Sequence, residues 1–254
     1  MIGSIDARQG DIMEYAALCD IGKMRSINQD AVFAAAREDT GLFLVADGMG
    51  GHSNGEKASR QIVTCISQWW EGFRPQDYDY HFMEMMHGLR QAAKRANEEI
   101  YDAYNQGTIC GSTMSLLLIC GQAYGILSAG DSRIYLYYEK KIRQLTTDEI
   151  WENQPDLTPW ERELHWEQYH GRLCNAVGIR RELRCSMITD TCRPGQVFLL
   201  CSDGLYRYCP KRYLKTCMKK TNRNSHPERT ASMLLEKTYH TNARDNISAV
   251  LVKV

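Results

Sequence analysis

The sequence has no excess of charge of either sign: 31 lysines and arginines balance 31 aspartates and glutamates. General nucleic-acid binders carry a marked basic surplus, because neutralising phosphates supplies much of their affinity, so that class is set aside. The chain also lacks any apolar run near the roughly 18 residues of a membrane-spanning helix. Its apolar runs, such as Leu116–Cys120, have the length of a strand. No low-complexity tract or Pro/Gly/Ser linker interrupts it, and 43% apolar residues with no net charge is not the composition of a disordered chain. Met1–Gly10 carries charges and no apolar centre, so no secretory signal is expected there. Among ten cysteines there is no Cys-x-x-Cys pair, and the close Cys/His spacing of a zinc site is missing. Cys19, Cys120 and Cys201 sit in apolar runs, as small buried hydrophobes of a reduced, cytoplasmic protein would.

What is present is enough for one large domain. The 254 residues can bury a sizeable core without staples, and no repeat divides them. Residues 1–13 are expected as a flexible N-terminal extension. Three amphipathic helices are expected. The first follows Ser53, with Glu56 at capping-box spacing, and runs to Trp70; the second covers Phe82–Tyr104. The third runs from Ser225 to His240, with Pro227 in its first turn. The spacing of Met85 and Met86 within the second helix is that of a core face. About eight strands are expected: Glu14–Cys19, Gly41–Ala46, Thr113–Ile119, Ala123–Ala129, Ile134–Tyr138, Leu183–Thr189, Val197–Cys201 and Ile247–Val252. They do not alternate with helices, which argues for antiparallel sheets with helices packed outside. Between strands, residues 148–174 form an expected flap. Seven acids stand there against Arg162 and Arg172, interleaved with Trp151, Trp160 and Trp166. Those rings either pack the flap onto the body or serve a role at its surface.

The chemistry lies in the placement of aspartates. Asp47 ends the apolar run Leu42–Ala46 and precedes Gly48; Asp203 ends Val197–Ser202 and precedes Gly204. Asp131 follows Gly130, Asp245 and Asn246 open the last strand, and Asp30 precedes Ala31-Val32-Phe33. One aspartate at a strand end is ordinary turn chemistry. Several converging from neighbouring strand ends repel one another unless cations are bound, and all-oxygen ligands select hard divalent ions. Glycines beside them let the backbone approach and free a carbonyl as ligand. A pair of such ions activates water and clamps an anionic substrate, which points to metal-assisted hydrolysis of phosphate esters.

Five segments then occur in order: Arg25-Ser26-Ile27-Asn28-Gln29-Asp30, Val45-Ala46-Asp47-Gly48-Met49-Gly50-Gly51-His52, Ala129-Gly130-Asp131-Ser132-Arg133, Leu200-Cys201-Ser202-Asp203-Gly204-Leu205 and Ala243-Arg244-Asp245-Asn246-Ile247-Ser248. Together they resemble the signature of the metal-dependent protein phosphatases of type 2C, in their bacterial serine/threonine form. The resemblance covers about Tyr15 to Val254 and implies an α+β fold, a central sandwich of two antiparallel sheets flanked by helices in α-β-β-α layers. It implies two catalytic Mn²⁺ or Mg²⁺ ions, and a third near the flap. Asp47, Asp203 and Asp245 would hold the first ion, and Asp47 with the Gly48 carbonyl the second. Asp131 with Asp203 would hold the third. Asp30 would hold water in the outer shell, and Arg25 would grip the substrate phosphate with its guanidinium fork. The implied reaction is attack on phosphoserine or phosphothreonine by water or hydroxide bridging the ions, opposing a serine/threonine kinase. The implied enzyme is a monomer with phosphoprotein substrates, no nucleic-acid partner and no membrane span.

Met49 stands where animal members carry a histidine, as in bacterial members, and His52 reads as a loop histidine without a catalytic part. Asp148 is a weak candidate for a flap ligand. Two other readings are a family member that has lost catalysis and a phosphatase specialised for one regulator. Intact ligand positions argue against the former. The acidic flap would suit a basic phosphoprotein. The basic run Lys211–Arg223 reads as a solvated helix face.

Overall fold

The computed structural model describes residues 5–9, 13–50, 54–73, 81–104, 109–223 and 226–254. In chain order the strands begin with β1 (Ile5–Gln9), β2 (Glu14–Asp20), β3 (Asp30–Arg37), β4 (Thr40–Met49), β5 (Gly111–Ser112) and β6 (Met114–Cys120). They continue with β7 (Ala123–Ala129), β8 (Arg133–Tyr138), β9 (Lys141–Gln144), β10 (Ser186–Thr191), β11 (Val197–Cys201) and β12 (Ile247–Lys253). The helices are α1 (Asn54–Gly72), α2 (Phe82–Tyr104), α3 (Pro159–Tyr169), α4 (Asp203–Tyr206), α5 (Lys211–Arg223) and α6 (Pro227–His240).

The strands make two antiparallel sheets. One runs β1-β2-β12-β11-β8-β9 and the other β10-β7-β6-β4-β3, with the short β5 pairing β4. Period-two alternation decides which side chain enters which layer. Phe43 and Val45 of β4, Leu117 and Ile119 of β6, Phe198 and Leu200 of β11, and Val250 and Val252 of β12 all point between the sheets. There the Tyr124 and Phe198 rings meet edge to face with centroids 5.0 Å apart. Their neighbours point outward. Leu42, Leu44 and Ala46 pack under α1 and α2 against Ile62, Ile66, Met86 and Leu89. Leu199, Cys201 and Leu251 pack under α5 and α6 against Leu214, Met218, Leu234 and Leu235. The layers are helix, sheet, sheet, helix, as the resemblance implies.

Where the sequence reading and the structure differ, the causes are physical. β3 is rich in alanine, a poor strand former, and exists because it pairs with β4 along its whole length. β1 and β9 are edge strands of the first sheet. β1 falls within the stretch expected as a flexible extension. The expected strand Leu183–Thr189 begins three residues later, at Ser186, because only from there does it pair with β7. The basic run folds as α5, with Leu214, Cys217 and Met218 buried and Lys211, Arg212 and Lys215 outward. Ser53, Ser225 and His52 lie outside the described residues. None of the ten cysteines is in a disulfide, and six of them are buried. Burial raises thiols such as Cys192, to about 11, which keeps them protonated and unreactive.

Candidate active site

The alternation that fills the inter-sheet layer also builds the site. On β4 the inward series Phe43, Val45 continues to Asp47, and on β3 the inward series Ala34, Val32 continues to Asp30. The register places Asp30 directly opposite Asp47. On β11 the series Phe198, Leu200 runs out at Ser202, which precedes Asp203, the first residue of α4. Asp131 lies in the β7–β8 turn behind Gly130, and Asp245 just before β12. Five aspartates thereby gather at one end of the sandwich.

Hydrogen bonds fix this end. Ser202 Oγ donates to Asp30 Oδ2 at 2.8 Å and accepts from the Ser248 amide at 3.1 Å, tying three strands together. The Asp47 amide donates to Thr113 Oγ1 at 2.9 Å, and its carbonyl accepts from the Thr113 amide at 2.8 Å. Thr113 Oγ1 also meets Ser132 Oγ at 2.7 Å, which joins the Asp131 turn to the same frame. Asn246 organises the loop that carries Arg25. Its Oδ1 accepts from the Gln29 amide at 2.9 Å, and its Nδ2 donates to the Ile21 carbonyl at 2.9 Å and the Ile27 carbonyl at 3.1 Å. Both Asp-Gly turns need their glycines. A Cβ on Gly48 would run into the Gly55 carbonyl, and one on Gly204 into the Asn246 carbonyl.

Charge is crowded here. Burial, and then Asp203 and Asp245, push Asp30 up to about 7 against the pull of its serine hydrogen bonds. Burial followed by Asp30, Asp203 and Asp131 holds Asp47 well above the usual carboxylate range. Asp203 is raised to about 6, mainly by burial, with Arg207 opposing. Asp131 is also raised by burial, against Arg207. Such a set lacks positive charge, and its chemistry, all oxygen on strand ends, fits a hard divalent ion. Two arginines face these carboxylates. Arg25 Nη2 contacts Asp245 Oδ2 at 2.8 Å. Arg207 reaches Asp203 Oδ2 at 3.2 Å and Asp131 Oδ2 at 3.3 Å. With the side chains so disposed, no three His, Cys, Asp or Glu among the described residues close on one point. An ion held by Asp245 would draw that carboxylate from Arg25.

All of Arg25, Asp30, Asp47, Gly48, Asp131, Asp203 and Asp245 stand at this end. The sequence reading missed Ser202, Thr113, Tyr206 and Arg207. Arg207 had a signal, since it lies four residues after Asp203, the spacing of an ion pair on a helix. Asp148 is already engaged: Arg133 Nε lies 3.0 Å from both of its oxygens and Gln144 donates to Oδ1 at 2.7 Å. It is an anchor for the root of the flap. Glu149 is another, accepting from the Gly130 amide and from Asn175 Nδ2, both at 2.7 Å. On α3, capped by Thr158 with Glu161, Trp160 and Trp166 are 65% and 45% exposed, so these two rings do not pin the flap to the body. Trp151 does pack, against Tyr169 within the flap.

Comparison with known proteins agrees with this arrangement. Residues 23–253 match the family described as Protein phosphatase 2C. The serine/threonine protein phosphatase PstP of Mycobacterium tuberculosis is 30% identical over 206 residues, 78% of this chain; the chain spans 37% of that protein's length. The protein phosphatase PhpP of Streptococcus pneumoniae is 30% identical over 198 residues, 76% of this chain and 79% of its own. A solved structure of the PstP catalytic domain in complex with two manganese ions superposes with a TM-score of 0.74 at 25% identity, covering 95% of this chain and 98% of that one.

Proposed function

The chain belongs to the protein phosphatase 2C family, and from that premise we propose that it is a metal-dependent phosphatase of phosphoserine and phosphothreonine in proteins. The observation that carries the reading is the gathering of Asp30, Asp47, Asp203 and Asp245 at one sandwich end, where burial and mutual repulsion raise the carboxyls of Asp30, Asp47 and Asp203. Asp47, Asp203, Asp245 and the Gly48 carbonyl would hold manganese or magnesium. When bound, the two ions supply positive charge beside the phosphoryl group and acidify water. The PstP catalytic domain, similar in fold, was solved with two manganese ions.

The chain's own groups do the rest. Asp30, anchored by Ser202 at 2.8 Å, orients water and accepts its proton opposite Asp47. Arg25 is half exposed and makes a single contact, so it is free to leave Asp245 and fork onto two phosphoryl oxygens. The Asn246 bonds keep its loop in place while it does so. No thiol takes part. Ten cysteines without a disulfide suit a reducing compartment and so a cytoplasmic enzyme; its proposed role is that of a monomer opposing a serine/threonine kinase. Among the described residues no helix is long and apolar enough to cross a membrane.

The test is hydrolysis of p-nitrophenyl phosphate and of phosphothreonine peptides. Activity is expected with manganese or magnesium and is lost in chelator and in Asp203→Ala. Full activity in chelator, or none with any divalent ion, overturns the reading.

A further inference from the structure

Arg207 differs from the other arginine at the site. Arg25 comes from a loop and touches one carboxylate. Arg207 follows the α4 turn that begins at Asp203, and its amide bonds the Asp203 carbonyl at 3.0 Å, so its starting point is fixed relative to the carboxylate it serves. Its Nε faces Asp203 Oδ2 at 3.2 Å and its Nη2 faces Asp131 Oδ2 at 3.3 Å. One planar guanidinium therefore spans both carboxylates. The Tyr206 hydroxyl donates to the same Asp131 oxygen at 3.3 Å. Tyr206 is held in turn by the Arg133 guanidinium, 3.6 Å over its ring, and Arg133 is locked to Asp148. Asp148, Arg133, Tyr206, Asp131, Arg207 and Asp203 thus form one continuous series of contacts.

We propose that Arg207 is a tethered cation that fills the place between Asp131 and Asp203, so that no divalent ion is shared by these two carboxylates. An ion shared there would meet Asp131 Oδ2 and Asp203 Oδ2 already engaged by the guanidinium and Tyr206. It would also sit against a positive charge that does not titrate away, because arginine stays protonated at any working pH. Asp131 is then a positioning residue that holds Arg207, and through it Asp203, rather than a metal ligand. The sequence resemblance assigned Asp131 to a third ion; the neighbourhood of Arg207 speaks against that assignment in this chain.

The inference rests on the metal-dependent reading above, and counting bound ions separates the two. Equilibrium dialysis against manganese, followed by elemental analysis, is expected to give about two ions per native chain, as a two-ion site requires. Arg207→Ala, which uncovers the paired carboxylates, is expected to take up about one more, and Asp131→Asn in the native background to leave the count unchanged. A native chain that binds about three ions, an Arg207→Ala chain that gains none, or an Asp131→Asn chain that loses one overturns the inference. A native chain that binds none overturns the metal-dependent reading itself. Asp131→Asn keeps the question decidable should Arg207→Ala fail to fold.

Discussion

The middle of the inter-sheet layer and its carboxylate end come from the same strands in the same register, yet they affect the fold in opposite ways. In the middle, Phe43, Val45, Phe198 and Leu200 are fully buried and lower the free energy of the folded chain by leaving water. One step further along the same faces stand Asp47, Asp30 and Ser202, and there burial raises the energy of charged groups rather than lowering it. The apolar stretch supplies stability, and the acidic end consumes part of it to keep carboxylates close together without enough positive charge. That arrangement makes sense only if cations complete it.

The sharpest way to separate the two regions is to remove one member from each. Asp203→Ala is expected to cut phosphatase activity by roughly a hundred- to a thousand-fold, the scale of losing a preorganised charge-stabilising group. In chelator its melting temperature should equal or exceed that of the native chain, because a crowded carboxylate has gone. Phe198→Ala should do the reverse. It opens a cavity beside Tyr124 and costs about 3–5 kcal/mol, read from denaturant unfolding, while turnover per folded molecule holds. If Phe198→Ala left stability untouched, or Asp203→Ala unfolded the chain, the division between the regions would fail.

Much of that division was legible beforehand. The strands of the middle follow from apolar runs bounded by Gly and Asp, and the Asp-Gly pairs at their ends mark where the layer stops. The α-β-β-α layering agrees with the sequence reading, and the five aspartates it singled out stand at one end of the sandwich. What was not legible depended on pairing across long separations. β3 is a strand because β4 is beside it, and Asp148 is engaged because Arg133 lies on the neighbouring strand. Nothing local says that Ser202 reaches Asp30, which is 172 residues away in the chain. The tryptophans of the flap could not be assigned from composition, since exposed and packed rings look alike in sequence.

A smaller effect tests the electrostatic side of the comparison. In the metal-free chain Asp30 and Asp203 keep their protons up to about 7 and about 6, against an ordinary value of 3.8. Between those limits the native state binds more protons than the unfolded state, so stability falls as pH rises through that window. Melting in chelator should therefore drop from pH 4.5 to pH 7.5, about the span of the two shifts, and Asp30→Asn should flatten the slope. A melting temperature that climbs across this range would contradict the crowding. The smallest effect belongs to the flap. With its ring already exposed, Trp160→Ala should change stability by less than about 0.5 kcal/mol in thermal unfolding.

The most direct test of the account is thermal unfolding of the metal-free chain with manganese added at neutral pH. Ions that bind only the folded state should raise its stability by about 2.7 kcal/mol at a hundred times their dissociation constant. The account predicts a clear rise in melting temperature for the native chain, reversed by chelator and absent in Asp47→Asn. A native chain whose melting temperature does not respond to manganese, or an Asp47→Asn chain that responds as fully, would contradict it.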